Sequence, residues 1–183
     1  DLVEHHGYTG AYNAVKRFVG KLRGSTSKVS CRFETEPGQE AQVDYGEGAL
    51  TRDPRTGKYR RPRLFVMTLG NSRHAFRKVV WKSSTETWCR LHEEALAYFG
   101  GVPRTIRLDN LKEGVIKPDI YDPQLNALYA KMLAHHGVVP LPCRPYAPDL
   151  KGKVESAVGY TQKTALKGRR FESIDEQNAF LLR

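Results

Sequence analysis

The sequence predicts an α/β fold in which helices flank a mixed five-stranded sheet. The predicted elements follow the order three strands, helix, strand, helix, strand, helix, and this order favours helices packed on the faces of one sheet. The 183 residues suffice for one well-buried domain plus a small appendage. We assign residues 1–24 to a small helical domain, residues 25–36 to a linker of small, polar and basic residues, and residues 37–183 to the main domain.

A short helix is predicted near the N-terminus, from about Tyr8 to Arg23. Val15, Phe18, Val19 and Leu22 recur at the spacing of one apolar face, and basic residues fall on the other side. A turn followed by such a helix is typical of the second half of a helix-turn-helix, and a solvated amphipathic helix is the alternative. The basic residues that would contact DNA there are Lys16, Arg17 and Lys21.

Three strands are predicted next, and together they indicate an antiparallel meander. The first runs from Glu40 to Leu50 and ends at a turn over residues 53–58, which contains Pro and Gly at suitable positions. The second, Arg63 to Gly70, is strongly apolar. The third, His74 to Trp81, alternates apolar and polar residues.

The second half of the chain alternates helices and strands. Gly100 is expected to end the first of these helices, and Asp122 to cap the next, whose inward residues would include Leu128. Three prolines then force an extended segment before the last helix. The predicted elements are a helix from Thr85 to Phe99, a strand from Arg104 to Leu108, a helix from Pro123 to His136, a strand from Val138 to Leu141 and a helix from about Lys151 to Leu166.

Three acidic residues occupy well-marked positions in this pattern. Asp44 follows an apolar residue in a half-buried strand, Asp109 stands where a strand ends, and Glu155 lies at the edge of the buried stripe of the last helix. Each has an ordinary explanation: Asp44 and Asp109 as turn partners, and Glu155 as the ion-pair partner of Lys151 or Lys153. Their joint order and setting are the stronger signal, because an uncompensated acid in a half-buried strand is costly.

Carboxylates on separate elements are what a two-metal site requires. Two divalent ions about 3.5–4 Å apart can activate an attacking oxygen and stabilise a leaving one. Hard oxygen ligands suit Mg²⁺ or Mn²⁺. The sequence therefore predicts that Asp44, Asp109 and Glu155 hold two Mg²⁺ (or Mn²⁺) ions and carry phosphodiester chemistry.

The charge balance favours a nucleic-acid partner. A formal net charge of +10 and a pI of about 9.6 favour phosphate contacts, although an ordinary basic protein is the alternative. No stretch approaches the roughly 18 apolar residues of a membrane span, and three scattered cysteines favour a reducing cytoplasm. The candidate DNA contacts are Arg55, Lys58, Arg60 and Arg61 in the basic loop, and Lys151, Lys153, Tyr160, Lys163 and Lys167 along the last helix.

The segments around the three acids resemble the catalytic core of the DDE transposase and retroviral-integrase superfamily. They read Val-Asp44-Tyr-Gly, Leu-Asp109-Asn and Lys-Gly-Lys-Val-Glu155-Ser, in that order and with similar spacing. The longer segments Gln-Val-Asp44-Tyr-Gly-Glu and Asp109-Asn110-Leu-Lys, the Cys-Arg-Pro-Tyr-Ala-Pro run at 143–148 and the Gly-Tyr-Thr-Gly-Ala-Tyr run at 7–12 are similar to the IstA-type transposases of insertion sequences. The likeness extends from about residue 7 to residue 183.

The resemblance implies a ribonuclease-H-like fold preceded by a helix-turn-helix remnant, with the three acids as metal-binding catalytic residues. It also implies an enzyme that nicks transposon ends and joins the 3′-hydroxyl to target DNA. Expected partners are double-stranded DNA, further copies of the chain and an IstB-type AAA+ ATPase, at the nucleoid of a bacterial cytoplasm. Two departures stand out: relatives are longer at both ends, and Gln162, with Lys163 beside it, stands where many relatives carry Lys or Arg.

Two alternatives remain at this point. A ribonuclease-H-like nuclease or resolvase would cut DNA but never join it. A non-catalytic DNA-binding regulator would keep the basic surface without needing the three acids, so their presence in sequence order counts against it.

Overall fold

The computed structural model of this chain describes residues 5–7, 11–22, 34–109, 113–117, 124–143 and 152–182. The chain divides into two compact units, residues 1–32 and residues 33–183. The described helices are α1 Tyr12–Leu22, α2 Thr85–Phe99, α3 Ala127–His135, α4 Gly152–Tyr160, which continues as a π-helical turn Thr161–Ala165, and α5 Ile174–Leu181. The described strands are β1 Glu40–Glu47, β2 Leu50–Arg52, β3 Tyr59–Arg60, β4 Arg63–Leu69, β5 Ala75–Val80, β6 Thr105–Leu108, β7 Val115–Lys117, β8 Gln124–Leu125, β9 Val139–Pro142 and β10 Arg170–Phe171.

The N-terminal unit contains α1, which begins later than predicted from the sequence. Phe18 and Tyr12 are largely exposed on this helix, and so are the basic residues Lys16 and Arg17. The side chain of Lys21 lies outside the described part. An exposed apolar face beside basic residues agrees with either sequence interpretation, so the helix-turn-helix stays a prediction.

The central sheet has five strands in the order β5-β4-β1-β6-β9. Strands β1, β4 and β5 form an antiparallel meander, whereas β6 and β9 run parallel to β1. Short turns suffice between antiparallel neighbours, but parallel neighbours need a crossover, which α2 and α3 provide. The predicted mixed five-stranded sheet with flanking helices is confirmed.

Helices cover both faces of this sheet, and the alternation along β4 shows it. Phe65 and Met67 belong to the core under α2 and α3, while Leu64 and Val66 belong to the core under α4 and α5. All four side chains are fully buried. Burying one such side chain contributes about 1.5–3 kcal/mol, so β4 anchors both layers. We call these two sides the aromatic face (under α2 and α3) and the α4 face.

The helix predicted from Pro123 to His136 begins only at Ala127. The side chain of Asn126 caps it by accepting a hydrogen bond from the amide of Leu128 at 3.0 Å, and β8 pairs with β7 just before the cap. Asp122, the predicted cap, lies outside the described residues. Leu128 was expected to point inward but is 44% exposed, because capping places it in the first turn on the solvent side.

The strand predicted from Glu40 to Leu50 is interrupted. The amide of Gly48 donates to the carbonyl of Pro62 at 2.8 Å, and a Cβ added to Gly48 would lie 2.9 Å from the Pro62 ring, so the chain leaves the sheet there. It continues as β2 in a second, three-stranded sheet ordered β10-β2-β3. The sequence interpretation contained neither this sheet nor α5, which Ser173 caps by accepting from the amide of Glu176.

No helix in the described ranges combines the length and the apolar character needed to cross a membrane.

Candidate active site

Asp44 lies on β1, and Asp109 directly follows the neighbouring parallel strand β6. Val43 of β1 pairs in register with Leu108 of β6, and each acid is the residue that follows. Neighbouring strands lie about 4.8 Å apart. The register therefore places Asp44 beside Asp109, at the end of β6. Strand β1 continues beyond this point and remains paired to β4, with Asp44 opposite Val66.

The side chain of Asp44 belongs to the α4 face. Successive side chains of a strand alternate between faces, and Val43 belongs to the aromatic core. Gln42 and Gly46, which share the side of Asp44, both meet α4. The Gln42 Oε1 accepts a hydrogen bond from the amide of Val154 at 3.1 Å, and a Cβ added to Gly46 would lie 2.6 Å from Val158 Cγ1. Asp44 thus lies between two contacts with α4.

Glu155 lies at the edge of the side of α4 that faces β1. Residues three apart share a side of a helix, and Val158, three residues after Glu155, packs against Gly46. Glu155 itself is exposed. It lines a shallow depression along the helix in which a Cβ added to Gly159 would meet no heavy atom of the described residues within 4 Å. The lining residues are Gly152, Glu155, Ser156, Gly159, Tyr160, Lys163 and Thr164.

The three acids do not form a closed cluster. Within the described residues, no three His, Cys, Asp or Glu side chains are placed so that they could share a metal ion. The register joins Asp44 to Asp109, and the packing of α4 puts Glu155 on the adjoining side.

The donor set nevertheless fits Mg²⁺ or Mn²⁺. Both ions prefer carboxylate oxygens and retain water ligands, and the candidates are three carboxylates from two strands and a helix. Asp44 Oδ1 accepts a hydrogen bond from the amide of Tyr45 at 2.8 Å, which fixes one of its oxygens. The exposure of Glu155 and the open space beside Gly159 leave room for water-bearing ions.

The π-helical turn after α4 separates the roles of Gln162 and Lys163. The carbonyl of Thr161 accepts from the amide of Leu166 at 2.9 Å, five residues on, which is the π pattern. Gln162 Nε2 donates to the carbonyl of Glu47 at 3.1 Å, so this side chain is bound to the end of β1. Lys163 is exposed and lines the depression that contains Glu155. Of the two side chains, Lys163 is therefore the better candidate for contact with a phosphate.

Lys153 does not share the exposed basic side predicted for the last helix. It is only 9% exposed, and its Nζ donates to Thr35 Oγ1 at 3.2 Å. Burial lowers the pKa of this ammonium, and the charge of Arg73 acts in the same direction. The expectation of one exposed cationic side is therefore wrong for Lys153. Tyr160, Lys163 and Lys167 are exposed, whereas Lys151 lies outside the described residues.

The predicted basic loop divides into two pairs. Arg60 Nε lies 2.7 Å from Oδ2 of the buried Asp53, and its guanidinium stacks over Trp81 at 4.6 Å. Arg61 donates to the carbonyl of Gly48 at 3.0 Å. Both arginines thus help to hold the loop in shape.

The other two of the four candidate contacts in this loop, Arg55 and Lys58, are exposed. No ion pair joins either of them to another residue of the described part. Within this loop they are therefore the better placed candidates for DNA phosphates.

Sequence reasoning missed the polar residues behind the acids. Arg107, Glu40 and Gln42 all lie on the α4 face and are mostly buried. Arg107 precedes Asp109 by two residues, and Gln42 precedes Asp44 by two. Polar residues at alternate positions before an acid in a predicted strand were the available signal.

The chain matches the sequence profile of the family described as "Integrase core domain" over residues 34–148. It is 35% identical over 177 residues to a provisionally named transposase of Mycobacterium tuberculosis, an alignment covering 94% of this chain and 43% of that protein. It is 32% identical to the transposase for insertion sequence element IS640 of Shigella sonnei, covering 94% and 54%, and 31% identical to the transposase for insertion sequence element IS21 of Pseudomonas aeruginosa, covering 94% and 44%. The chain spans about half the length of these curated relatives.

A similar fold occurs in a solved structure, described as a cryo-EM structure of the simian T-cell lymphotropic virus intasome in complex with PP2A regulatory subunit B56 gamma. The TM-score is 0.50 at 15% identity, over 99% of this chain and 58% of that one. At this identity the likeness concerns the fold alone.

Proposed function

Because the chain belongs to the integrase core domain family, we propose that it is the catalytic part of an insertion-sequence transposase, which nicks transposon ends and joins the exposed 3′-hydroxyl to target DNA. The observation that carries this proposal is the β1–β6 register. It sets Asp44 beside Asp109 on the face that α4 covers, and α4 carries Glu155 on the adjoining side.

In this proposal Asp44, Asp109 and Glu155 hold two Mg²⁺ (or Mn²⁺) ions. When bound, such ions activate the attacking oxygen and stabilise the leaving oxygen of a phosphodiester. The protein positions the reacting groups. The strand-borne acids are fixed by the sheet, and Glu155 is brought to them by α4. The chemistry is two successive displacements at phosphorus, by water and then by the 3′-hydroxyl, without a covalent protein intermediate.

Exposed cations and an aromatic ring line the approach to this site. Lys163 and Tyr160 border the depression that contains Glu155, and Lys167 is exposed on the same segment. Their proposed task is to hold the DNA backbone, with Arg55 and Lys58 contributing at a second place. Each phosphate neutralised would steepen the salt dependence of DNA binding by about 0.9 in log–log slope.

The proposed partners follow from the reaction. Both transposon ends and the target are double-stranded DNA, and joining two ends requires at least two copies of the catalytic chain. An IstB-type AAA+ ATPase is the further partner we propose, and the bacterial cytoplasm at the nucleoid is the place. The basic charge of the chain agrees with a polyanionic partner.

The test is a joining assay with the full-length protein that contains this chain. Labelled candidate end DNA is incubated with Mg²⁺ and a supercoiled plasmid, and joined products are measured on a gel. We expect label covalently attached to plasmid, and no product when EDTA replaces Mg²⁺. Nicked ends without joined product would favour the nuclease or resolvase alternative, and DNA binding with neither product would favour the regulator.

A further inference from the structure

A hydrogen-bond network connects β6, β1 and α4, the three elements next to which or on which the acids lie. It begins on β6, where Arg107 Nε and Nη2 donate to Glu40 Oε2 at 3.1 and 2.8 Å. Both side chains are mostly buried, at 18% and 10% exposure. Two donors on one carboxylate hold an arginine in a defined orientation, so β6 and β1 are fastened together on the α4 face.

The network continues from β1 to α4 through the side chain of Gln42. Its Nε2 donates to Glu40 Oε1 at 2.9 Å, and its Oε1 accepts from the amide of Val154 at 3.1 Å. Gln42 is only 3% exposed. Val154 lies in the first turn of α4, where helix amides have no partner within the helix. Gln42 therefore acts as a cap supplied from the sheet, and it ties the start of α4 to one position along β1.

Three residues of this network lie close in sequence to the catalytic candidates. Arg107 precedes Asp109 by two residues, Gln42 precedes Asp44 by two, and Val154 immediately precedes Glu155. In a strand, residues two apart share a face and lie about 7 Å apart. A shift at either link therefore moves an acid.

We propose that Arg107, Glu40 and Gln42 are positioning residues that fix α4, and with it Glu155, relative to Asp44 and Asp109. The three act through the strands and the helix that hold the acids. Partners of this kind behind metal-binding carboxylates tune activity by about 10–100-fold. This inference rests on the proposed function, because positioning has an effect on joining only if the acids are catalytic.

The choice of residues is unlike that of a purely structural contact. A buried ion pair is weak support for stability, since an apolar replacement of similar shape is often neutral or better. Buried polar networks do, however, specify one arrangement out of several. The hydrogen bonds of Arg107, Glu40 and Gln42 connect β6, β1 and the first turn of α4. This arrangement fixes the position of α4 along the sheet.

The first test compares two buried glutamines in the full-length protein. Gln42→Leu removes the hydrogen bonds that join Glu40 to the amide of Val154. Gln177→Leu is the matched control, because Gln177 of α5 is also fully buried. Its Oε1 accepts a hydrogen bond at 2.6 Å from Thr51 Oγ1, which belongs to β2 of the second sheet. Hydrogen–deuterium exchange of peptides covering residues 152–160 is measured by mass spectrometry, and joining is measured over a range of Mg²⁺ concentrations.

We expect exchange in α4 to accelerate at least tenfold in Gln42→Leu and to stay unchanged in Gln177→Leu. Joining should fall about 10–100-fold in Gln42→Leu through kcat, with a higher Mg²⁺ requirement and an unchanged KM for end DNA. If Gln42→Leu joins as well as Gln177→Leu does at equal folded fraction, the positioning role is overturned while the proposed function stands.

A second variant covers the case in which Gln42→Leu does not fold. Arg107→Lys keeps the positive charge but loses the two-donor contact with Glu40, and it leaves Gln42 intact. We expect a smaller acceleration of α4 exchange and a partial loss of joining, with Arg107→Met worse than Arg107→Lys. Equal, wild-type joining in both Arg107 variants would overturn the proposal. Wild-type joining by Asp44→Asn would instead remove the proposed function, and the positioning role with it.

Discussion

The two faces of the central sheet differ in the side chains that pack on β1 and its neighbours. The aromatic face packs Phe65, Trp88 and Tyr129 at ring distances of 5.5 to 6.0 Å, and His92 is buried among them. The α4 face carries Glu40, Gln42 and Asp44 on β1, and its helix approaches so closely that Gly46 has no room for a side chain. On β1 the sheet thus presents apolar side chains to one side and polar side chains to the other, where α4 also packs on the apolar core that includes Leu64 and Val66.

The comparison separates stability from positioning. The aromatic face buries large side chains whose contribution grows with the apolar area removed from water. The α4 face uses hydrogen bonds that fix a helix at one position, at little gain in stability. Changes on the aromatic face should therefore reduce the fraction of folded protein, and changes to the polar residues of β1 on the α4 face should reduce the activity of each folded molecule.

The largest effect on stability is expected from Trp88→Ala on the aromatic face. Trp88 is fully buried and contacts the rings of Tyr45, Phe65, His92 and Tyr129. Truncation should lower the free energy of unfolding by about 3–5 kcal/mol, as measured by urea denaturation. Joining per folded molecule should change little at low temperature. A loss of joining as deep as that of an acid variant, in protein that remains folded, would remove the division between the faces.

The pH dependence of stability is the next effect. Burial lowers the pKa of His92 to about 4 from its ordinary value of 6.5. The neutral ring satisfies both partners, with Nδ1 donating to the carbonyl of Trp88 at 2.8 Å and Nε2 accepting from the Tyr129 hydroxyl at 3.1 Å. Between pH 6.5 and about 4 only the unfolded protein binds the proton. Stability should therefore fall as pH is lowered through that range, by up to ~3 kcal/mol.

Urea denaturation at pH 7 and pH 5 checks this, with His92→Gln as the comparison. Glutamine offers an NH₂ group that donates and a carbonyl oxygen that accepts, but it does not titrate. The variant should be less stable at pH 7 and should lose less stability on acidification than the wild type. Equal losses in the two proteins would show that His92 is not the group responsible.

A smaller effect on stability, with a clear effect on activity, is expected from Gly46→Ala on the α4 face. The added methyl would lie 2.6 Å from Val158 Cγ1, so the Val158 side chain must change rotamer or α4 must move away from β1. The overpacking should cost about 1–3 kcal/mol, and joining should fall as Glu155 is displaced.

The matched control for Gly46→Ala is Gly101→Ala after α2, because a Cβ added there meets no heavy atom of the described residues within 4 Å and the residue does not line the depression that contains Glu155. Alanine at this exposed position should change the free energy of unfolding by about 0.5 kcal/mol or less. If both alanine variants join equally well, close contact between Gly46 and Val158 does not position Glu155.

The smallest effect concerns the exposed cation beside Glu155. Lys163→Ala should weaken DNA binding and reduce the salt dependence by about one phosphate contact, with the free energy of unfolding unchanged. Lys153→Met, at the buried lysine, should leave the salt dependence as it is. The reverse result, measured by fluorescence anisotropy over a range of salt concentrations, would restore Lys153 as the DNA contact.

Elements with strong local signals were predictable from the sequence. Helix α2 spans Thr85–Phe99 as predicted, since Ser84 caps its start and Gly100 adopts a φ of 66° at its end. The five strands of the central sheet are long or apolar enough to show a pattern. The strands of the second sheet have only two or three residues, too few for periodicity to appear.

The sequence supports a proposal for the residues of the site, but it could not predict their surroundings. The three acids could be named because each has a distinctive local setting, but strand register depends on pairing across the chain and is not contained in any one segment. The burial of Lys153 against Thr35 has the same origin, because helical spacing says which residues share a side but not what lies opposite.

The central claim is that Asp44, Asp109 and Glu155 are the catalytic acids, and the most direct test replaces each carboxylate by its amide. Asp44→Asn, Asp109→Asn and Glu155→Gln are compared in the joining assay with Asp175→Asn, an exposed acid of α5. Joining should fall by more than ~100-fold in each of the three, beyond what outer partners cause, while end binding and the Asp175 variant stay near wild type. Near-normal joining with Mg²⁺ by any one of the three would contradict that residue's assignment.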